Sequence, residues 1–212
     1  MATGTVTFAL LSVSSARAFT IYTDRTAWQN AVTAPPGNTI TTDTFSTNIP
    51  AAQTITLTSG IVSANSLPPP VGVEFNTVSG GNYVNATDGD ASEGSAAITW
   101  TFPGPTFAFG ANFSLVNPNS LTLSGNFDGT GNQTLVVYNS LNASSGFLGI
   151  IGNANFNSIV FGNASTVLDI FIVDNASFAV GIPPAAVPEP GTVVGLTFVA
   201  GSFLLGRLGK RE

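Results

Sequence analysis

The 212-residue chain contains no histidine and no cysteine. Without imidazole and thiolate, Ser–His–Asp and Cys–His catalysis are excluded in their common forms. Zinc and copper sites built on those ligands are excluded too, and no disulfide can staple the fold. Charge is also scarce. Charged residues make up 8% of the chain, and only five are basic: Arg17, Arg25, Arg207, Lys210 and Arg211. Between the two ends, over residues 19–186, Arg25 stands alone against nine acids, a net charge of −8. Binding to a phosphate backbone requires cations that displace counterions, so nucleic acid is not a partner, and anionic lipid does not suit this part of the chain. Phosphoryl transfer would have to rest on one arginine. The enzyme class left is the carboxylate pair of a glycosidase. With so few acids, no enzymatic activity is expected.

What is abundant is Gly, Asn, Ser and Thr alternating with Phe, Val, Ile and Leu, at a mean hydropathy of +0.35. Period-two alternation places Ile98, Trp100 and Phe102 on one face of a strand and Thr99 and Thr101 on the other. Phe107, Phe109, Phe113 and Leu115 share a face in the next. Pro103-Gly104-Pro105 is expected to separate these two strands. Leu168, Ile170 and Ile172 alternate with Asp169, Phe171 and Val173 in a further strand. Residues 117–120 and 128–132 read as turns. Short strands at regular spacing predict an all-β fold, an antiparallel β-sandwich of jelly-roll type, with an open barrel as the alternative.

One short N-terminal helix is predicted in "TDRTAWQNAV", with Thr23 as its N-cap, Asp24 in the first turn, and an apolar stripe of Ala27, Trp28, Ala31 and Val32. It would cap one end of the sandwich.

The ends differ from the middle. Residues 1–18 carry the apolar run Val6–Val13 and then Ala16-Arg17-Ala18, an A-x-A pattern with Ala16 and Ala18 as the signal-cleavage residues. A first strand is the other reading of this segment. No base precedes the apolar run. At the opposite end, residues 182–190 form a Pro-rich linker and residues 191–212 a membrane segment with a basic tail. Gly191 to Gly206 is free of charge. As a helix it would be roughly 24 Å long at ~1.5 Å per residue, near the ~30 Å of a hydrocarbon core. Arg207, Lys210 and Arg211 would stop transfer and stay cytoplasmic, with the body outside the inner membrane.

Val187-Pro188-Glu189-Pro190, the apolar segment and the basic cluster together resemble the PEP-CTERM sorting signal of Gram-negative bacteria. The resemblance covers about the last 25 residues. It implies recognition of Pro188, Glu189 and Pro190 by an exosortase, a membrane-embedded protease-transpeptidase. It also implies transient anchoring at the inner membrane through a C-terminal transmembrane helix, then release to the cell surface or exterior, in company with exopolysaccharide production. The body, with "FAFGANFS", "GFLGIIG" and "FIVDNASF", is similar to passenger domains of that group. This implies a β-sandwich over residues 19–181 and brings no catalytic residues.

Two ligand chemistries remain to be placed. In "TDGDASEG", Asp88, Asp90 and Glu93 put oxygen side chains on a Gly-containing loop, as Ca²⁺ prefers. The spacing is not that of an EF-hand, and a plain solvated acidic loop fits the same residues. No other cofactor is expected. Asp128 reads as a turn former and Asp174 as a strand-end cap. A carbohydrate module would stack sugars on exposed aromatic rings. Trp100 is in phase with the core, which leaves Tyr22, Tyr83 and Tyr138, with Tyr83 beside the acidic loop the best placed.

Overall fold

In the computed structural model the described residues are 19–66, 75–87, 97–166 and 168–183. All belong to one compact unit, Ala18–Ala185. The described unit is all-β, antiparallel and sandwich-like. Its strands are β1 (Thr20–Tyr22), β2 (Thr39–Asp43), β3 (Thr54–Thr56), β4 (Val62–Asn65), β5 (Thr77–Ser79), β6 (Asn82–Thr87), β7 (Ile98–Ser114), β8 (Leu121–Gly125), β9 (Gln133–Val136), β10 (Gly146–Asn163) and β11 (Asp169–Val180). Two helices accompany them, α1 (Arg25–Thr33) and α2 (Val137–Leu141). Among the described residues no helix is long and apolar enough to cross a membrane. The expected membrane segment lies outside the described residues.

The hydrogen-bonded order runs β5-β6-β11-β7-β10-β8-β9, with β1 on β10, β2 on β11, and the β3–β4 hairpin on β7. The long strands β7 and β10 form the spine. Trp100 and Phe109 are both on β7, nine residues apart, yet their rings meet edge to face at 6.0 Å. Nine residues of straight strand would span roughly 30 Å, so β7 turns a corner between them. Its register against β10 jumps from Thr101↔Ser158 to Thr106↔Phe156 at this place. Pro103-Gly104-Pro105 is that corner. It bends one strand and does not separate two, correcting the sequence expectation. Proline has no N–H to give a ladder, and here the ladder pauses.

Because the spine bends, its two halves face each other over one core. Phe109 meets Phe161 at 6.5 Å, and Phe161 meets Trp100 at 5.1 Å, Phe113 at 6.2 Å and Phe171 at 5.4 Å. Ile98, Trp100 and Phe102 are buried together, as their alternation predicts. At the start of β11 Asp169, Phe171 and Val173 are buried, while Ile170 and the preceding Leu168 are exposed.

The face shared by Phe107, Phe109, Phe113 and Leu115 does not hold. Phe109 and Phe113 join the main core. Phe107 joins a second cluster with Trp28, Val32, Phe147 and Ile151. Leu115 is 59% exposed with a left-handed φ of 63°. The turn that follows rotates Leu115 out of the pleat, which alternation cannot foresee.

Helix α1 makes the second cluster. Its N-cap is Asp24, whose Oδ1 accepts from Ala27 N at 2.7 Å, with the backbone extended at φ −115°, ψ 123°. Thr23 is therefore not the cap. A carboxylate three residues before the acceptor-seeking N–H fits the geometry better than a hydroxyl one residue further away. Trp28 and Val32 are buried, Ala31 half-buried and Ala27 exposed. The helix packs on a sheet face against β10, β2, β1 and β7, with Ala179 of β11 in its cluster, and does not cap an end of the sandwich. It fits there because Gly110 and Gly149, paired across β7 and β10, leave room for the Trp28 indole.

Candidate functional site

The Tyr83 ring, expected to be exposed, is completely buried. It packs edge to face on Trp100 at 5.0 Å and lies 6.1 Å from Phe45. Strand β6 alternates inward at Tyr83, Asn85 and Thr87, and all three are buried. Tyr83 is thus removed from the candidates for sugar stacking. Its hydroxyl would be costly to bury unpaired, and it sits in a polar cluster inside the core. Ser63 Oγ bonds Tyr83 Oη at 2.9 Å and donates to Asn76 Oδ1 at 2.6 Å. Asn85 Nδ2 donates to Tyr83 Oη and to Asn65 Oδ1, the latter at 3.0 Å. Asn65 Nδ2 returns a bond to Asn85 Oδ1 at 3.2 Å. Asn76, at a left-handed φ of 51°, ties the cluster to the chain by donating to Ala52 O at 2.7 Å and Gln53 O at 3.0 Å. Burial pushes the Tyr83 hydroxyl pKa up, and the hydrogen bonds from Ser63 and Asn85 offset part of that. The phenol stays neutral, and this arrangement fixes strand pairing within the core.

The described carboxylates all have structural partners. Asp24 caps α1. Asp43 accepts from Phe45 N and Ser59 N, each at 2.8 Å, and so holds Phe45 at its left-handed φ of 53°. Asp169, fully buried, accepts from Leu121 N at 3.0 Å and Asn117 N at 3.2 Å. Burial raises its pKa, and those N–H donors pull against the rise. Asp128 forms the expected turn, accepting from Thr130 N and Thr130 Oγ1 at 2.8 Å and Gln133 Nε2 at 2.7 Å. The Thr130 N–H is the main cause of its lowered pKa. Asp174 is not a strand-end cap. It lies inside β11 at a register break before Ser177, accepts from Asn175 Nδ2 at 2.6 Å, and attracts Arg25.

Arg25 is committed as well. It donates to Asn175 O at 2.7 Å and Ser177 Oγ at 3.2 Å, and its guanidinium lies 4.6 Å from the Phe147 ring centre. Burial lowers its pKa and Asp174 opposes that. The single base of the body is a clasp that closes the bulge of β11 under α1.

Other expected site residues lie outside the described residues: Ala16 and Ala18, the calcium candidates Asp88, Asp90 and Glu93, the motif Pro188-Glu189-Pro190, and Arg207, Lys210 and Arg211. Among the described residues no group of three or more metal-ligating acids occurs. Tyr22 and Tyr138 are partly exposed and do not share an element. An open surface groove of about 310 Å³ is lined by Asn48, Ile49, Pro50, Ala51, Thr77, Val78 and Ser79, without a charged group.

No family model, curated protein or solved structure matches this chain. The functional reading therefore rests on the residues themselves.

The buried Asn–Ser–Tyr cluster was missed by sequence reasoning. In a chain this rich in Asn and Ser, nothing local separates an inward amide from an outward one. The only signal was the phase of Tyr83 and Asn85 within β6.

Proposed function

We propose that this is an exported surface or extracellular-matrix protein, a jelly-roll-like passenger delivered by a PEP-CTERM signal and without enzymatic activity of its own. The single observation that carries the reading is the order of the tail: Pro188-Glu189-Pro190, then a charge-free run to Gly206, then Arg207, Lys210 and Arg211. In this reading an exosortase-type protease acts near the motif, and the apolar helix holds the body outside the inner membrane until then. The end of the body supports it. Strand β11 finishes at Val180, and Asn38 bonds both backbone groups of Ile182, accepting from its N–H at 2.9 Å and donating to its carbonyl at 3.2 Å. The described core is complete upstream of the linker.

Exopolysaccharide binding is the second reading, with Tyr22 and Tyr138 as the partly exposed rings it would use. The glycosidase alternative has no uncommitted pair of carboxylates among the described residues. If Asp88, Asp90 and Glu93 bind calcium, the melting temperature rises between excess chelator and millimolar calcium.

Mass spectrometry of the native C-terminus tests the sorting reading. A mature end near Pro188–Pro190 is expected. With Pro188, Glu189 and Pro190 all changed to Ala, the uncut membrane-bound form should accumulate. Normal processing of that variant would leave an ordinary anchor. Changing Arg207, Lys210 and Arg211 to Ser should weaken stop-transfer.

A further inference from the structure

Strand β11 makes its last ladder pair with β2 at Val180↔Thr39. The same register would next set Ile182 against Gly37, but the chain turns at Gly37, where φ is 91°. The Asn38 side chain takes over the pairing. Its Oδ1 accepts from Ile182 N at 2.9 Å, and its Nδ2 donates to Ile182 O at 3.2 Å. Nδ2 also donates to Val32 O, in the last turn of α1, at 3.0 Å. One amide ties the exit of the chain to the helix. Packing does not hold Ile182, which is 71% exposed. The clamp also depends on Gly181. A Cβ there would lie 2.1 Å from Asn38 Oδ1, so a larger residue displaces the amide.

We propose that Asn38 is a positioning residue for cleavage of the tail: it fixes the point from which the Pro188-Glu189-Pro190 motif is tethered. This rests on the sorting reading. Five residues, Pro183 to Val187, separate the clamp from the motif. A Pro-rich chain advances ~3.1 Å per residue, so six steps carry Pro188 roughly 19 Å beyond Ile182. In the sorting reading the motif meets the edge of the hydrocarbon, because the charge-free run starts at Gly191, directly after it. One headgroup layer takes up about 5–7 Å, half the difference between a ~30 Å core and a ~40–45 Å bilayer. About 12–14 Å of tether remains, close to the ~10–12 Å diameter of a single helix. That clearance admits a thin part of a membrane-embedded protease and little more. With the clamp open, Gly181 and Ile182 join the tether and add about 6 Å. The clamp therefore sets the reach of the motif.

The test combines a shorter linker with an open clamp, in the full-length chain in its native host. Deleting Ala185 and Ala186 removes about 6 Å of reach and should slow conversion to the mature mass several-fold. Adding Asn38→Ala to that deletion should restore the rate, although the substitution weakens the fold. Gly181→Ala should restore it too, with Asn38 still in place. Inserting Gly-Gly after Pro183 in the deletion chain returns the length with the clamp shut, and the rate should return with it. A residue that only supports the fold would not speed the processing of a shortened chain. An unchanged rate in the deletion chain overturns the proposal, since reach is then not limiting. So do clamp variants of the deletion chain that stay as slow as the deletion alone, and so does a Gly-Gly insertion without effect. In each of these cases the parent chain still matures near Pro188–Pro190. A parent chain with an intact C-terminus would overturn the sorting reading itself, so the two failures are told apart.

Discussion

Gly110 and Gly149 stand opposite each other across the β7–β10 ladder, and the Trp28 indole fills the space above them. A Cβ on Gly149 would lie 2.5 Å from Trp28 Cδ1 and 2.8 Å from Phe147 Cε1. The indole is locked further by Nε1 donating to Ile150 O at 3.2 Å. Gly149→Ala should therefore cost about 1–3 kcal/mol by overpacking. Trp28→Ala should cost about 3–5 kcal/mol. Urea unfolding of both variants checks this; a neutral Gly149→Ala would mean that α1 is free to lift away.

Tyr83→Phe removes one hydroxyl and leaves Ser63 and Asn85 each short of a partner in the core. A loss of about 1–3 kcal/mol is expected. Retardation of the variant in exopolysaccharide gels should match that of the parent once both are folded, because the buried ring has no access to a sugar. A selective loss of retardation would return Tyr83 to the binding site.

Asp169 and Asp128 should act in opposite directions on acid stability. Burial raises the Asp169 pKa, so the folded state holds that proton more tightly than the unfolded state. Its contribution favours folding below the unfolded pKa and declines as pH rises through the folded one. The lowered pKa of Asp128 gives stability above the unfolded value that is lost as pH falls through the folded one, and its exposure to solvent makes that contribution small. In urea midpoints taken from about pH 4 to pH 7, Asp169→Asn should remove the downward slope. An unchanged slope would locate it in another acid.

Asn38→Ala should loosen the end of β11, because both bonds to Ile182 are lost. A stability loss of about 1 kcal/mol is expected. The more telling readout is limited proteolysis, in which cleavage near Pro183 should become faster while the core fragment stays intact. Equal rates would show that the exit of the chain is held by something other than Asn38.

How much of this was legible beforehand depended on whether the information was local. Ile98, Trp100 and Phe102 announce their buried face by alternation. The 117–120 and 128–132 turns announce themselves by Asn, Pro, Asp and Gly. The helix showed through its Trp28–Val32 spacing. The missing histidines and cysteines bounded the chemistry, and the order of apolar and basic residues in the tail raised the sorting reading. These features depend on neighbours in the chain.

Tertiary structure decided the rest, because it turned on residues far apart in sequence. Pro103-Gly104-Pro105 carries the same local signal whether it ends a strand or bends one, and only the β10 ladder on both sides of it chose the bend. Tyr83 has the composition of an exposed ring, yet Ser63, Asn76 and Asn85 give its hydroxyl a partner at every side, and a satisfied polar group can be buried.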